Sequence, residues 1–133
     1  MERETLDFDV VFVGAGPANL SGALHLARLV KESDLGDIEI AVIEKGAAVG
    51  AHILSGAVMD PRALKELIPD FGEQGAPLES PVKEDYFLYL TEKRAIRSPI
   101  TPPPLKNHGY YLVSLNRLTA WLGEKCEEAG VNI

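Results

Sequence analysis

The chain has 133 residues, 46% hydrophobic and 25% charged, with 13 basic against 20 acidic side chains and a formal charge of −7 at pH 7. That length suits one ordinary domain, and the acidic balance, with no Lys/Arg cluster to offset it, excludes a nucleic-acid-binding surface. The lone cysteine, Cys126, excludes an internal disulfide framework and a cysteine-built metal or iron–sulfur site within the chain.

No apolar run approaches the roughly 20 residues that a membrane helix needs. The opening Met1-Glu2-Arg3-Glu4 has neither the apolar stretch of a signal peptide nor the Arg/Ser-rich character of a transit peptide. Residence in a reducing compartment is the expectation.

Asp9 to Val13 is a compact β-branched run stopped by glycine, the look of a parallel strand buried on both faces. Pro17 then stands where the first turn of a helix suits its fixed φ and missing donor. Leu20, Ala23, Leu24, Ala27 and Val30 recur at helical spacing, so the helix runs from Pro17 to about Lys31. Ser33 to Asp37 breaks it, and Ile38 to Ile43 is a second strand ending at Glu44. Together these make a β-α-β unit, whose strands are parallel and whose crossover is right-handed.

Ala47 to Val58 is rich in small residues and reads as a loop whose glycines, Gly50 and Gly56, let backbone approach something closely. Asp60 as N-cap and Pro61 at the first helical position start a short helix with Leu64, Leu67 and Ile68 on its apolar side. Tyr86 to Leu90 and Ala95 to Arg97 flank Thr91-Glu92-Lys93-Arg94 as a β-hairpin. Thr101 to Pro104 reads as a polyproline-like connector, and Tyr110 to Val113 as another strand. Leu115, Leu118, Trp121, Leu122, Cys126 and Ala129 mark a last helix with Gly130 beyond its end, and Val131 opens a further strand. Cys126 on that apolar face predicts a buried, inert thiol. The expected organisation is residues 1–58 as a nucleotide-binding β-α-β unit and following loop, 70–114 as a β-rich insertion, and 115–133 as a helix with the start of a strand.

The turn between the first strand and helix carries the chemistry. In Gly14-Ala15-Gly16-Pro17-Ala18-Asn19 the first glycine permits the tight turn and the second lets a pyrophosphate approach the backbone. The helix N-terminus supplies N–H groups and a partial positive charge. Glu44, at the end of the second strand, is placed to accept hydrogen bonds from the adenosine ribose hydroxyls, which disfavours NADP. Asn19 stands where a third glycine normally permits close helix–strand packing. Either the helix shifts slightly outward, or the amide finds a partner near the cofactor. The shift is the preferred reading, so that Asn19→Gly keeps or tightens binding.

Glu44-Lys45-Gly46-Ala47-Ala48-Val49-Gly50-Ala51-His52-Ile53-Leu54-Ser55-Gly56-Ala57-Val58, followed by Asp60-Pro61-Arg62-Ala63-Leu64, resembles the electron-transfer flavoprotein–ubiquinone oxidoreductase family. So do Leu90-Thr91-Glu92-Lys93-Arg94-Ala95, Pro102-Pro103-Pro104, Asn107-His108-Gly109, Val113-Ser114-Leu115 and Trp121-Leu122. The resemblance covers nearly the whole chain. It implies an α/β fold with a Rossmann-like FAD-binding β-α-β core, the glutathione-reductase type in incomplete form, with a small antiparallel β insertion. It further implies an FAD enzyme that takes electrons from reduced electron-transfer flavoprotein and passes them to ubiquinone. An iron–sulfur cluster lies elsewhere in such proteins, and they sit peripherally on an energy-transducing membrane, in a bacterium on its cytoplasmic face. On this likeness Gly14, Gly16, Pro17, Ala18, Asn19, Glu44 and Lys45 match the adenosine-diphosphate site. Gly50, His52, Ser55 and Gly56 match the loop that passes the flavin.

Other side chains have plainer readings. His108 is expected to make local hydrogen bonds in a turn, His25 to lie on the surface, and no pair of histidines has an acidic partner at metal-ligand spacing. Flavin electron transfer needs no acid–base pair from the protein, so the lack of a triad fits. Alternatives are another FAD enzyme of this fold, a monooxygenase or prenyl reductase, and an inactive fragment with at most weak dinucleotide binding. The stop at Ile133, early in a strand, predicts marginal stability for the isolated chain, with apolar surface exposed around Tyr86 to Leu90 and Tyr110 to Val113.

Overall fold

The computed structural model describes residues 5–33, 36–54 and 56–133. Strand β1 (Val10–Val13), helix α1 (Pro17–Glu32) and strand β2 (Ile40–Ile43) form the expected β-α-β unit. The two strands are parallel, with Val10 opposite Ile40 and Val13 opposite Ile43. On the other edge of β2, the Val42 N–H donates to the Asn132 carbonyl at 2.7 Å and the Asn132 N–H to the Ile40 carbonyl at 2.9 Å. Residue 132 thus pairs in parallel with Ala41, as an isolated bridge on the edge of β2 away from β1, at the place where a further strand is expected to open.

Burial on both faces, expected of β1, is not realised there. Phe12 faces α1, whereas Val11 and Val13 alternate to the opposite side and are 44% and 78% exposed; Ile43 is exposed beside them. The run is apolar throughout because its composition suits cover on either face, but among the described residues only α1 packs on this sheet.

A second sheet is made of β3 (Ala57–Met59), β4 (Leu78–Pro81) and β7 (Tyr111–Val113), with β7 central and both pairings antiparallel. The end of the small-residue stretch is therefore a strand rather than loop. β5 (Leu88–Leu90) and β6 (Ala95–Arg97) form the expected separate hairpin. Its turn closes through the Arg94 N–H to Thr91 Oγ1 at 3.0 Å and the Thr91 N–H to the Arg94 carbonyl at 2.8 Å.

Helix α2 (Arg62–Leu67) begins one residue later than expected. Pro61 is the helical-φ residue at its N-cap, and Asp60 still accepts the Arg62 N–H at 3.1 Å. The proline connector tightens into a 3₁₀ turn over Pro103–Leu105. His108 bonds at long range: its Nδ1 is 3.2 Å from the Lys83 carbonyl, so it donates as the Nδ1–H tautomer. Beside it, Asn107 gives both its N–H (2.8 Å) and its amide (3.0 Å) to the Asp85 carboxylate, clamping this loop to the segment before the hairpin.

Helix α3 (Leu115–Glu128) packs on α1. Leu20 and Leu24 of α1, Ile40 and Val42 of β2, Ile68, and Leu118, Leu122 and Cys126 of α3 make one core. The Cys126 thiol donates to the Leu20 carbonyl at 3.2 Å, and burial pushes its pKa up to about 11, so it is an inert core thiol. Trp121 places its indole N–H on the Gln74 carbonyl at 3.1 Å, which satisfies the one polar atom of a buried ring.

Of the stretch Tyr110 to Val113, expected to be exposed, Leu112 is so at 46%, whereas Val113 points to the other face of β7 and is buried in this core. The hairpin is as exposed as expected: Tyr86, Phe87, Leu88, Tyr89, Leu90 and Ile96 all face solvent, with Leu90 at 69%. A contiguous apolar ribbon of this kind favours association. Replacing Tyr89 and Leu90 with lysine is expected to reduce self-association at equal concentration. Sedimentation velocity reads this directly, and equal association of the two proteins would place the contact elsewhere.

Candidate functional site

The phosphate turn is assembled at the carboxyl end of β1. Gly14 has φ +96°, a conformation that L side chains rarely adopt, and its N–H closes onto the Ile43 carbonyl at 2.7 Å. Gly16 is the N-cap of α1 and Pro17 its first residue. Behind the N–H groups of Gly16, Ala18 and Asn19 there is no helical carbonyl to receive them, so the helix start presents them, with its partial positive charge, to whatever lies in front.

Gly16 is informative in a different way from Gly14. Its φ of −81° and ψ of 166° suit any residue, and a Cβ built on it meets nothing within 4 Å. Neither the backbone nor the packing of this chain requires glycine there. The space in front of Gly16 is the cradle that a side chain would fill.

Glu44 faces this turn from the end of β2. Its Oε2 accepts the Ala15 N–H at 2.9 Å and its Oε1 the Gly46 N–H at 2.6 Å, so the carboxylate ties the two strand ends together. Each oxygen keeps a lone pair for a further donor such as a ribose hydroxyl. The Gly46 N–H first, then the Ala15 N–H, hold the Glu44 carboxyl below its ordinary value of 4.5, and nearby His52 adds to the effect. Because the folded pKa is the lower one, these bonds contribute their full stability above 4.5 and lose it as pH falls through the depressed value. Glu44→Gln is expected to flatten the acid side of the stability curve. Urea midpoints between about pH 7 and about pH 3 check this; two curves offset equally at every pH would contradict it.

Asn19 follows the second of the two sequence alternatives rather than the preferred one, in that its amide has partners, and they lie in the turn itself. Its amide Nδ2 donates to the Val13 carbonyl at 2.8 Å and to the Gly14 carbonyl at 2.9 Å. Both neighbours are carbonyl oxygens, so only the NH₂ end of the amide fits.

His52 approaches this cluster, with its Nδ1 3.4 Å from the position a Gly46 Cβ would take. Lys45 is exposed beside it. Gly50 turns away: at φ +84° its Cβ position lies 2.6 Å from the Asn116 carbonyl oxygen, so what its backbone approaches is α3. Gly56 has φ +95° with open space around it. Ser55 lies outside the described residues. Gly14, Gly16, Pro17, Ala18, Asn19, Glu44, Lys45 and His52 thus come together, while Gly50 fastens the loop to the helix.

Gly22 is the residue that sequence reasoning passed over. A Cβ there would lie 3.3 Å from the Phe12 ring, which makes it the close contact of α1 on β1. A glycine inside an apolar helix stripe costs about 1 kcal/mol against alanine, and that cost is the signal of a close approach.

An apolar cavity of about 290 Å³ lies behind the helix start, among Pro17, Met59, Leu64, Leu115 and Leu122. Its one charged wall residue is Asp60, which makes it no place for a phosphate. No group of three or more metal-ligating side chains occurs among the described residues.

No family model matches the chain. The mitochondrial electron transfer flavoprotein–ubiquinone oxidoreductase of Rattus norvegicus is 52% identical over 134 residues, which span 100% of this chain and 22% of that protein. The chain is similar throughout to electron-transfer flavoprotein–ubiquinone oxidoreductase. The Dictyostelium discoideum protein of that name is 52% identical over 131 residues. The probable one of Acinetobacter baylyi is 49% identical over 137 residues, 24% of its length. The chain therefore spans only about a fifth to a quarter of the curated relatives it matches.

Among solved structures, a geranylgeranyl bacteriochlorophyll reductase-like protein of Thermoplasma acidophilum superposes with a TM-score of 0.61 at 20% identity. The match covers 94% of this chain and 29% of that one. Aklavinone-11 hydroxylase, solved with FAD and aklavinone, superposes with a TM-score of 0.58 at 20% identity, covering 98% and 26%. At this identity the likeness is one of fold: the chain has a Rossmann-like α/β core with antiparallel β additions.

Proposed function

We propose that this chain forms the adenosine-diphosphate-binding part of an FAD-dependent oxidoreductase that carries electrons from reduced electron-transfer flavoprotein to ubiquinone. The observation that carries the nucleotide reading is Gly16, whose missing side chain is required by neither the backbone conformation nor the packing and leaves room at a helix N-terminus for a pyrophosphate. The N–H groups of Gly16, Ala18 and Asn19 would hold the diphosphate oxygens, and the Glu44 oxygens the ribose hydroxyls. Bound FAD supplies the one- and two-electron chemistry, while the protein fixes its place and tunes its potential. His52, Ser55 and Gly56 belong in this reading to the stretch that passes the flavin, with Gly50 fastening that stretch to α3.

The identity of the donor and acceptor rests on the likeness in sequence to the curated relatives. The iron–sulfur cluster that goes with that activity needs residues beyond this chain's single cysteine. Association with an energy-transducing membrane is peripheral in this reading, in a bacterium from the cytoplasmic side. Among the described residues no helix is long and apolar enough to cross a membrane.

A second reading, another FAD enzyme such as a monooxygenase or prenyl reductase, draws on the shared fold. Identity of 52% against 20% favours the first. Stopped-flow reduction of the whole flavoprotein separates them. Rapid bleaching of the flavin by reduced electron-transfer flavoprotein and not by NADPH is the expected result, and reduction by NADPH alone would replace the first reading with the second.

A further inference from the structure

We infer that Asn19 is a positioning residue for the phosphate turn, holding its shape by hydrogen bonds from within, while Gly22 takes over the close helix–strand contact that a glycine at residue 19 would otherwise provide. The inference rests on the nucleotide reading above and extends it to how the turn keeps its geometry. Four observations carry it.

The amide of Asn19 spends both of its hydrogens on the Val13 and Gly14 carbonyls, at 2.8 and 2.9 Å. These are the last residue of β1 and the positive-φ glycine that reverses the chain. The side chain therefore fills the inside of the turn and leaves its outer face clear.

The close packing that glycine normally serves is found one helical turn further on. Gly22 brings α1 onto the Phe12 ring of β1, at 3.3 Å from its Cβ position. Residues three apart lie on the same helix face, so Asn19 and Gly22 address the same strand, the first by hydrogen bonds and the second by contact.

The third observation is Glu44, which holds the Ala15 N–H from the other side at 2.9 Å. The turn is thereby gripped at Val13 and Gly14 by an amide and at Ala15 by a carboxylate. The fourth is that Gly16, the next residue, is left open. A preformed turn of this kind presents its remaining N–H groups to a nucleotide diphosphate without having to order them on binding.

The test uses the 133-residue chain with Asn19→Gly and the isosteric Asn19→Asp, and ADP and adenosine as probes. Amide hydrogen exchange is read at Gly14, Ala15 and Gly16, with Val42 of β2 as the internal reference for folding. Asn19→Gly is expected to speed exchange at the turn but not at Val42. It should also weaken ADP roughly tenfold, the loss of two hydrogen bonds of ordinary strength, and leave adenosine almost unchanged. Asn19→Asp keeps the volume but sets an acceptor against two carbonyl oxygens, and should weaken ADP further. Turn exchange as in the parent chain in both variants, or tighter ADP binding by Asn19→Gly, would overturn the inference and return Asn19 to a mere crowding residue. An equal loss for ADP and adenosine, with Val42 exchange raised, would make its role one of general stability and overturn it too. Faster turn exchange in Asn19→Gly, together with a parent chain that binds no ADP, would uphold the brace and retire the nucleotide reading instead.

Discussion

Gly16→Val should abolish nucleotide binding and leave the fold standing. The backbone at residue 16 is extended, with φ −81° and ψ 166°, where a β-branched residue is at ease. Nothing in the chain lies within 4 Å of the added Cβ, so no clash is created. The substitution does lose glycine's preference at an N-cap, worth about 1 kcal/mol. Against that modest cost stands the ligand. Two methyl groups in front of the first N–H donors would occupy the volume a pyrophosphate needs and would remove the close approach on which its hydrogen bonds depend. The expected readings are a melt displaced by only a few degrees and a fall in ADP affinity of about 100-fold or more, the equivalent of roughly 3 kcal/mol in lost charge-assisted bonds. In the whole flavoprotein, flavin absorbance after purification gives the same answer. Unchanged flavin content in Gly16→Val protein would remove the phosphate from this turn.

The parts of this site that were legible in sequence are those written in local order. Gly14, Gly16 and Pro17 follow an apolar β-branched run and open a helix, and Glu44 closes the next such run; period and turn chemistry suffice to place them. What was not legible depends on partners far along the chain. Ala57–Met59 is too short to announce itself as a strand, and becomes one only because Tyr111–Val113 lies beside it. His108 has a local look, yet its acceptor is Lys83. Asn19 was read as crowding a helix–strand contact, because the pattern marks only where glycine usually stands. Its polar partners at Val13 and Gly14 come from the way the turn folds back, and Gly22 had already taken over the contact. Val11 and Val13 carry a composition suited to two covered faces, and composition does not say which face α1 takes.

Gly50 has the same limitation, and its role yields the largest expected loss of stability. In sequence it belongs to a glycine-containing stretch that lets backbone approach a ligand. In the structure the approach is to α3, where a Cβ at residue 50 would stand 2.6 Å from the Asn116 carbonyl oxygen and 3.6 Å from the Ala120 nitrogen. The first distance is shorter than any ordinary contact, and the obstacle is helix backbone, which cannot rotate aside. Gly50 also has φ +84°, a conformation that costs an L-residue about 1–2 kcal/mol. Adding overpacking of about 1–3 kcal/mol, Gly50→Ala is expected to cost about 3–4 kcal/mol, a large part of a small domain's total. Gly56→Ala is the matched control, since Gly56 has φ +95° but open space around it. It should lose only the conformational share, about 1–2 kcal/mol. Urea unfolding of the two variants measures the difference, which isolates the contact with Asn116 from the cost of positive φ. The neighbouring contact provides a second reading: Val49 lies 3.2 Å from the Cβ position of Gly123, and because that obstacle is a side chain, Gly123→Ala should be tolerated better than Gly50→Ala. Equal losses at residues 50 and 56 would mean that the loop stands off α3, free to turn its backbone toward a flavin after all.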